Sequence, residues 1–245
     1  MEENIKIETK NSFKFSLTIS LLFIGIAWVV FILEKIFQLD LSPYGLLPRD
    51  IRHIYGILTM PFLHGNFEHI FSNTIAFVPL SVILFYFFPQ KSGRIFLILY
   101  FFSGLLTWII GRNTSYHVGA SALIYALATY IFVSGFKSRN RKLITVALIV
   151  VIINGGMIWG IIPSDPSISW EGHLSGAISG LILAFIITAP KEKSTIPDKT
   201  TPIYTTFEMN DFDSTENDDV KMVYFYKNKS KTDKKPIPKK TNKRR

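Results

Sequence analysis

The sequence predicts an all-α membrane protein, a bundle of six transmembrane helices. Hydrophobic residues make up 48% of the chain and aromatic residues 14%, and mean hydropathy is positive at +0.28 although a polar tail ends the chain. A helix needs roughly 20 apolar residues to cross about 30 Å of hydrocarbon. Six apolar runs without Asp, Glu, Lys or Arg are interpreted as these helices: Phe15–Leu33, Ile70–Phe88, Ile95–Ile110, Ala120–Phe136, Leu143–Ile162 and Leu174–Ala189.

Run length divides these helices into two groups. The first, second and fifth runs nearly reach a full span, whereas the other three have only about 16 residues and must recruit polar flanks or begin below the membrane surface. For the fourth run we favour a start below the surface, with His117–Ala120 dipping inward among protein and water. A cleaved signal peptide is the alternative for the first run, but that run is long for a signal core and has no small-residue cleavage site after it.

Basic residues predict the orientation, because Lys and Arg next to membrane helices prefer the cytoplasmic side. They cluster at the N-terminus, after helix two, after helix four and after helix six, all of which fall on one side. Both termini are therefore expected in the cytoplasm. His64, Ser121 and His173 then lie toward the non-cytoplasmic ends of their helices.

The chain divides into three parts: a cytoplasmic N-terminus over 1–14, a membrane domain over 15–190 and a disordered basic cytoplasmic tail over 191–245. The tail's basic end is expected either to contact anionic lipid headgroups or to remain a solvated tail. No nucleic-acid partner is expected, because the surplus charge of +9 lies mostly in this tail and in the cytoplasmic loops. The absence of cysteine excludes disulfides and thiolate chemistry.

Few polar side chains interrupt the apolar region, and they are the types that acyl transfer requires. Ser121 lies at the start of one apolar run, next to its first residue Ala120, and His173 directly precedes another, which offers a nucleophile and a base inside a membrane. His69 and Asn73 are four residues apart, so on a helix they share a face and can either donate to one developing oxyanion or simply pair with each other in packing. His64 and His69 are five apart, about 140° around a helix, and no metal site is expected.

Small residues indicate how the two helices with Ser121 and His173 meet. Gly176, Ala177 and Gly180 follow His173 and allow close approach to a neighbouring helix. Tyr125 lies one turn after Ser121 and is expected to pack on the imidazole. A Ser-His dyad without a carboxylate would result, whereas Ser121 taken alone is also compatible with a packing serine.

Together these motifs resemble the rhomboid intramembrane serine proteases. Helix two carries His64-x4-His69-x3-Asn73, helix four carries Gly119-Ala120-Ser121-Ala122 with Tyr125, and helix six carries Gly172-His173-Leu174-Ser175-Gly176 with Gly180. The resemblance covers about Phe15 to Pro190 and implies a six-helix rhomboid-like bundle. It implies a serine endopeptidase that needs no cofactor or metal and cleaves transmembrane proteins near the outer ends of their helices.

Carried over to this chain, the resemblance assigns Ser121 as nucleophile and His173 as base and later acid. His69, Asn73 and the backbone N–H of Ser121 would form the oxyanion hole, with His64 and Tyr125 supporting the site. The chain departs from the family at Ala122, where glycine is frequent, and at Tyr55-Gly56, where a Trp-Arg pair is frequent. Alanine costs roughly 1–2 kcal/mol if position 122 needs a positive φ, and is favoured if the helix has already begun there.

Two other functions remain as alternatives. A catalytically inactive rhomboid-like protein would bind membrane-protein clients, but such relatives usually lack the serine or the histidine. A small transporter would show charged or broken helices at the midplane, for which Asn154-Gly155-Gly156 is the only hint. The short loops and the lack of a transit peptide favour a multi-pass protein of a prokaryotic inner membrane.

Overall fold

The computed structural model describes the backbone of residues 2–153, 159–163 and 169–187, and the side chains from residue 12 onward within those ranges. The described residues lie within one compact unit, Met1–Glu192. The basic tail, Asn154-Gly155-Gly156 and the residues that follow Ile187 lie outside them. Expectations about these segments therefore stay predictions.

Within the described residues the fold is all-helical, as expected, and the secondary structure comprises seven α-helices and four 3-10 turns. The α-helices are α1 (Glu2–Ile36), α2 (Gly56–Thr59), α3 (Phe67–Phe87), α4 (Ser92–Ile110), α5 (Ser121–Ser138), α6 (Arg141–Ile153) and α7 (Trp170–Ile186). The 3-10 turns are Ser42–Tyr44, Ile51–His53, Met60–Phe62 and Trp159–Ile161. The short α2 belongs to the first loop, and the other six α-helices correspond to the six apolar runs.

Four of the helices are long and apolar enough to cross a membrane: Ser12–Ile36 within α1, α3, α4 and α5. Helix α7 is also apolar but has 17 residues. It gains a turn by beginning at Trp170, four residues before the apolar run, so it recruits the polar flank that a short run needs. The continuous helix predicted over Leu143–Ile162 is wrong, because Trp159–Ile161 form a separate 3-10 turn.

Helix α5 forms the centre of the bundle and contacts α3, α4, α6 and α7. Its side chains are buried almost all round, and the largest fully buried ones include Tyr130, Leu123, Leu127 and Ile131. A helix that is apolar on every face is expected to be enclosed by other helices. The residue that begins this helix, Ser121, is therefore held by the most tightly enclosed element of the fold.

Helix α1 packs against α3 through aromatic and polar contacts. Phe23 stacks on Phe77 with ring centroids 4.7 Å apart, and the Trp28 indole donates a hydrogen bond to Thr74 at 3.0 Å. Buried hydroxyls of Ser20 and Ser81 also bond across the two helices at 2.8 Å. Side-chain hydrogen bonds of this kind replace the hydrophobic effect as a source of helix association in lipid.

The first loop between α1 and α3 is partly ordered by the bundle. Leu46 is fully buried and Met60 is 3% exposed, whereas Tyr44, Ile51 and Leu58 remain largely exposed. This division agrees with a loop that lies half-buried rather than floating in water. Where the family often has a Trp-Arg pair, Gly56 instead packs so closely on Leu46 that a Cβ would lie 2.4 Å from its Cα.

Candidate active site

The N-terminal ends of three helices carry the candidate polar residues. His69 lies in the first turn of α3, Ser121 is the first residue of α5, and His173 is in the first turn of α7. The amides of a helix's first turn have no partner within the helix and carry partial positive charge. Three such ends near one another favour the stabilisation of a negative charge.

A glycine with an unusual backbone leads into the serine. Gly119 has φ +104°, a conformation that side-chain-bearing residues rarely adopt. Its N–H donates to the Met60 carbonyl at 2.8 Å, which ties it to the first loop. A Cβ on Gly119 would lie 2.5 Å from His69 Nε2, so only glycine allows α3 to approach this closely. The positive φ of the serine motif is therefore located two residues before Ser121.

Ala122 lies inside α5, one residue after its start. Of the two cases considered for this departure from the family pattern, the structure has the helical one, because Ala122 does not have a positive φ. Alanine is a better helix former than glycine by about 1 kcal/mol. The substitution thus brings no strain to the turn before Ser121.

The His173 imidazole is held on two sides. Its Nδ1 donates a hydrogen bond to the Gly160 carbonyl at 2.8 Å, and its ring stacks on Tyr125 with centroids 4.3 Å apart and planes 11° apart. A carbonyl oxygen can only accept, so the neutral ring carries its hydrogen on Nδ1 and leaves the Nε2 lone pair available. A carbonyl and a tyrosine ring thereby orient the imidazole, which a carboxylate does in a catalytic triad.

Gly160 is a site residue that sequence reasoning missed. A Cβ there would lie 2.4 Å from the Tyr125 hydroxyl and 2.9 Å from His173 Nδ1. The residue therefore has to be glycine if the carbonyl is to reach the imidazole. Its only signal in the sequence is one more glycine in an apolar run, and that run predicts a continuous helix.

Helices α5 and α7 approach each other closely along the predicted stripe of small residues. A Cβ on Gly176 would lie 2.0 Å from the Ala122 carbonyl oxygen, and one on Gly180 would lie 2.3 Å from the Ala126 carbonyl oxygen. Both distances are far inside van der Waals contact, so the backbones themselves are in contact here. His173 is one turn before Gly176 and is carried to α5 by this contact.

His64 does not lie on α3, contrary to the prediction that helix two carries it. The helix begins at Phe67, because Asn66 caps it by accepting from the His69 N–H at 2.8 Å. His64 precedes this cap and folds back, so that its Nε2 lies 2.9 Å from Asn73 Nδ2. The separation of about 140° expected for His64 and His69 on one helix therefore does not apply. Instead, the centroids of the two imidazole rings lie 5.0 Å apart.

This contact leaves Asn73 with a second N–H to donate. The Asn73 side-chain amide gives one hydrogen to His64 Nε2, and an amide nitrogen carries two. A Cβ on Gly119 would lie 3.3 Å from Asn73 Nδ2, so the amide and the His69 ring both border the turn before Ser121. Asn73 and His64 are buried, with 6% and 2% of their surfaces exposed.

The structure thus brings two groups of the predicted residues together. His64, His69 and Asn73 gather beside Gly119, and Tyr125 and His173 stack one helical turn after Ser121. Among the described residues, no three His, Asp or Glu side chains are arranged to hold a metal ion. The chemistry that these residues offer is that of a hydroxyl, an oriented imidazole and hydrogen-bond donors.

The chain is similar to several known proteins. The Rhomboid domain family matches residues 52–190. An uncharacterized protein of Mycobacterium tuberculosis (strain ATCC 25618 / H37Rv) is 29% identical over 72% of this chain and 77% of its own length, and one of Mycobacterium leprae (strain TN) is 29% identical over 71% and 72%. The rhomboid-type serine protease 2 of Neurospora crassa is 26% identical over 66% of this chain and 62% of its own length.

The family match covers more than half of the chain, and all of the candidate site lies within it. Together with the four candidate spans, it makes the protein a multi-pass integral membrane protein of a protease family. The chain belongs to the rhomboid family.

Proposed function

We propose that this protein is an intramembrane serine endopeptidase that cleaves transmembrane segments of other membrane proteins through a dyad of Ser121 and His173. The observation that carries the proposal is the state of the His173 ring. Its Nδ1–H is engaged by the Gly160 carbonyl and its face by Tyr125, so Nε2 is the nitrogen that can take a proton. Ser121 lies one turn before Tyr125, and its hydroxyl is the group from which this nitrogen would take the proton.

The reaction would follow the acyl-transfer sequence of serine hydrolases. Ser121 Oγ attacks the scissile carbonyl while His173 Nε2 takes its proton, and His173 then returns that proton to the leaving amine. In the second half a water attacks the acyl carbonyl while His173 Nε2 takes its proton, and that proton then goes to Ser121 Oγ as the bond to the acyl group breaks. His173 thus serves first as base and then as acid, and the proton count balances without another titratable group.

The oxyanion would be stabilised from two sides. The backbone N–H of Ser121 lies at the N-terminus of α5, where first-turn amides have no helical partner. The free N–H of Asn73 and the His69 ring approach from α3, and both border Gly119. His64 supports them by fixing the Asn73 amide through the 2.9 Å contact. Each such donor is typically worth a factor of 10² to 10³ in turnover.

The distribution of charge supports a site that opens toward the outer face. The start of α3, the start of α5 and the start of α7 share one end of the bundle, and the connections at the opposite end hold most of the loop Lys and Arg residues. Both termini are then cytoplasmic, and the mycobacterial relatives favour a prokaryotic inner membrane. Water for hydrolysis would enter from the outer side.

Substrates would be membrane proteins whose helices unwind easily near that face. In lipid every amide of a helix is hydrogen-bonded internally, so a scissile bond is reached only after local unwinding. Glycine and proline near the cut lower this cost. Helices that contain such residues close to their outer ends are therefore the expected substrates, with the bilayer as the other partner.

The test is cleavage of a single-pass reporter in proteoliposomes. Its helix carries a Gly-Pro pair near one end, and a matched reporter carries Leu-Leu in its place. Wild type should cleave the first reporter faster than the second, and Ser121→Ala should cleave neither. A wild type that binds the reporter without cutting it would contradict the proposal and favour an inactive rhomboid-like protein that binds clients.

A further inference from the structure

A buried polar cluster outside the proposed dyad joins the segment before α5 to the start of α7. His117 is 3% exposed, its Nδ1 contacts the Ser169 hydroxyl, and its Nε2 lies 3.0 Å from the Arg112 carbonyl oxygen. Because a carbonyl can only accept, Nε2 carries the ring hydrogen. The Ser169 hydroxyl then donates to Nδ1, so both ring nitrogens of a buried histidine are used.

The backbone of His117 is fixed as firmly as its ring. Its N–H donates to the Leu46 carbonyl at 2.8 Å and its carbonyl accepts from the Leu46 N–H at 3.0 Å, which forms an antiparallel bridge with the first loop. Two residues later Gly119 bonds to Met60 of the same loop. The segment that leads to Ser121 is thus held by the first loop through its backbone, and the His117 ring connects it to Ser169, which directly precedes α7.

An ion pair ties the same two elements a second time. Arg112 Nε lies 3.6 Å from Glu171 Oε1, with 27% and 6% of the two side chains exposed. Arg112 begins the segment before α5, and Glu171 is in the first turn of α7. A carboxylate this deeply buried needs a nearby cation, so the pair resists separation of its two elements.

The spacing of the contact relates it to the dyad. His117 is four residues before Ser121, and Ser169 is four residues before His173. The contact therefore spans 52 residues, as the dyad does. From Ser169 the chain enters α7 directly, since the Ser169 carbonyl accepts the His173 N–H at 3.2 Å. Any shift of Ser169 would pass to His173 through this first turn.

We propose that His117 and Ser169 are a positioning pair, whose hydrogen bond sets where the His173 imidazole lies relative to Ser121. This inference rests on the proposed function, because it assumes that the two residues react together. Neither member of the pair touches the substrate. They act by holding the two chain segments that deliver nucleophile and base, and misplacement by about 1 Å can cost about 10²-fold in rate.

The experiment measures labelling of the full-length protein in detergent by a fluorophosphonate, as a maximal rate and a half-saturating probe concentration. The variants are Ser169→Ala, Ser169→Thr, His117→Leu and the double variant Ser169→Ala/His117→Leu. Ser179→Ala is the matched control, since Ser179 is a buried serine of α7 whose hydroxyl donates to the Ser175 carbonyl within the same helix. Thermal midpoints are recorded for each variant.

We expect the maximal rate to fall about tenfold or more in Ser169→Ala and in His117→Leu, with the half-saturating concentration unchanged. Ser169→Thr should restore most of the rate because it keeps the hydroxyl, and Ser179→Ala should match wild type. The double variant should be no slower than the slower single variant, since both remove one bond. If His117→Leu does not fold, the comparison of the two Ser169 variants decides.

Two results would overturn the positioning pair. The first is a folded Ser169→Ala that is labelled at the wild-type rate, and the second is a rate loss that Ser169→Thr shares in full. Failure of the proposed function looks different, because wild type itself would then remain unlabelled while folded. That result would remove the dyad and the positioning pair together.

Discussion

The contact between α5 and α7 at Gly176 yields the sharpest quantitative prediction. In Gly176→Ala the new Cβ would lie 2.0 Å from the Ala122 carbonyl oxygen, and ordinary contact begins at 3.4 Å. Helix α7 therefore has to retreat by about 1.4 Å near this residue. The obstacle is backbone, so no side-chain rotation can relieve it.

His173 lies one turn before Gly176 and moves with the helix. A displacement of about 1 Å can cost about 10²-fold in rate, and we expect a loss of at least that size in Gly176→Ala. Stability should change less, because overpacking costs typically 1–3 kcal/mol while replacing glycine in a helix returns about 1 kcal/mol. A large loss of rate with a small loss of stability is thus the expected signature.

The assay is the rate of fluorophosphonate labelling beside the thermal midpoint. Gly25→Ala and Gly93→Ala are matched controls, because a Cβ on either glycine meets nothing within 4 Å. Both controls should keep the wild-type rate and gain slightly in stability. If a folded Gly176→Ala is labelled as fast as wild type, the contact between α5 and α7 does not position His173.

Three further predictions concern other parts of the site and the bundle. Asn73→Ala should lower reporter cleavage about 10²-fold by removing one oxyanion donor, whereas the exposed neighbour Ser72→Ala should not. Burial lowers the pKa of His117 below its ordinary 6.5, so the neutral ring's contribution to stability is complete above pH 6.5 and is lost on acidification. The thermal midpoint should therefore fall between about pH 8 and about pH 5 in wild type, and it should fall less over the same range in His117→Gln. Lys137 donates to two carbonyls in the last turn of α7, at 3.0 and 3.3 Å, and Lys137→Met should lower the free energy of unfolding by about 1 kcal/mol, with Lys91→Met as the control. The contradicting results are an unchanged cleavage rate in Asn73→Ala, an unchanged pH dependence of the thermal midpoint in His117→Gln and an unchanged free energy of unfolding in Lys137→Met.

The helices and the family could be predicted from the sequence because both depend on local signals. Apolar runs without charge locate the bundle's helices, and short motifs such as Gly119–Ala122 identify the family. The family match identifies the family and does not test the role of any residue in these motifs. The roles of Ser121, His173, His64, His69, Asn73 and Tyr125 therefore stay predictions for the experiments above.

Other features were missed because they depend on contacts between distant segments. Hydropathy could not show that Trp159–Ile161 form a 3-10 turn, since the residues Trp, Gly and Ile are as apolar in such a turn as in a helix. The role of Gly160 follows only from its distance to His173. His117 and Ser169 are separated by 52 residues, and neither has a motif that marks it. His64 was misplaced because the cap at Asn66 starts the helix three residues later than the motif's beginning.

The most direct test of the Ser121–His173 dyad is to locate a fluorophosphonate adduct by peptide mass spectrometry after labelling the purified protein. We expect one adduct on Ser121, present in wild type and absent in His173→Ala, because the serine is activated only when the oriented imidazole takes its proton. An adduct on Ser121 that persists at the wild-type rate in His173→Ala, or a folded wild type that carries no adduct, would contradict the dyad.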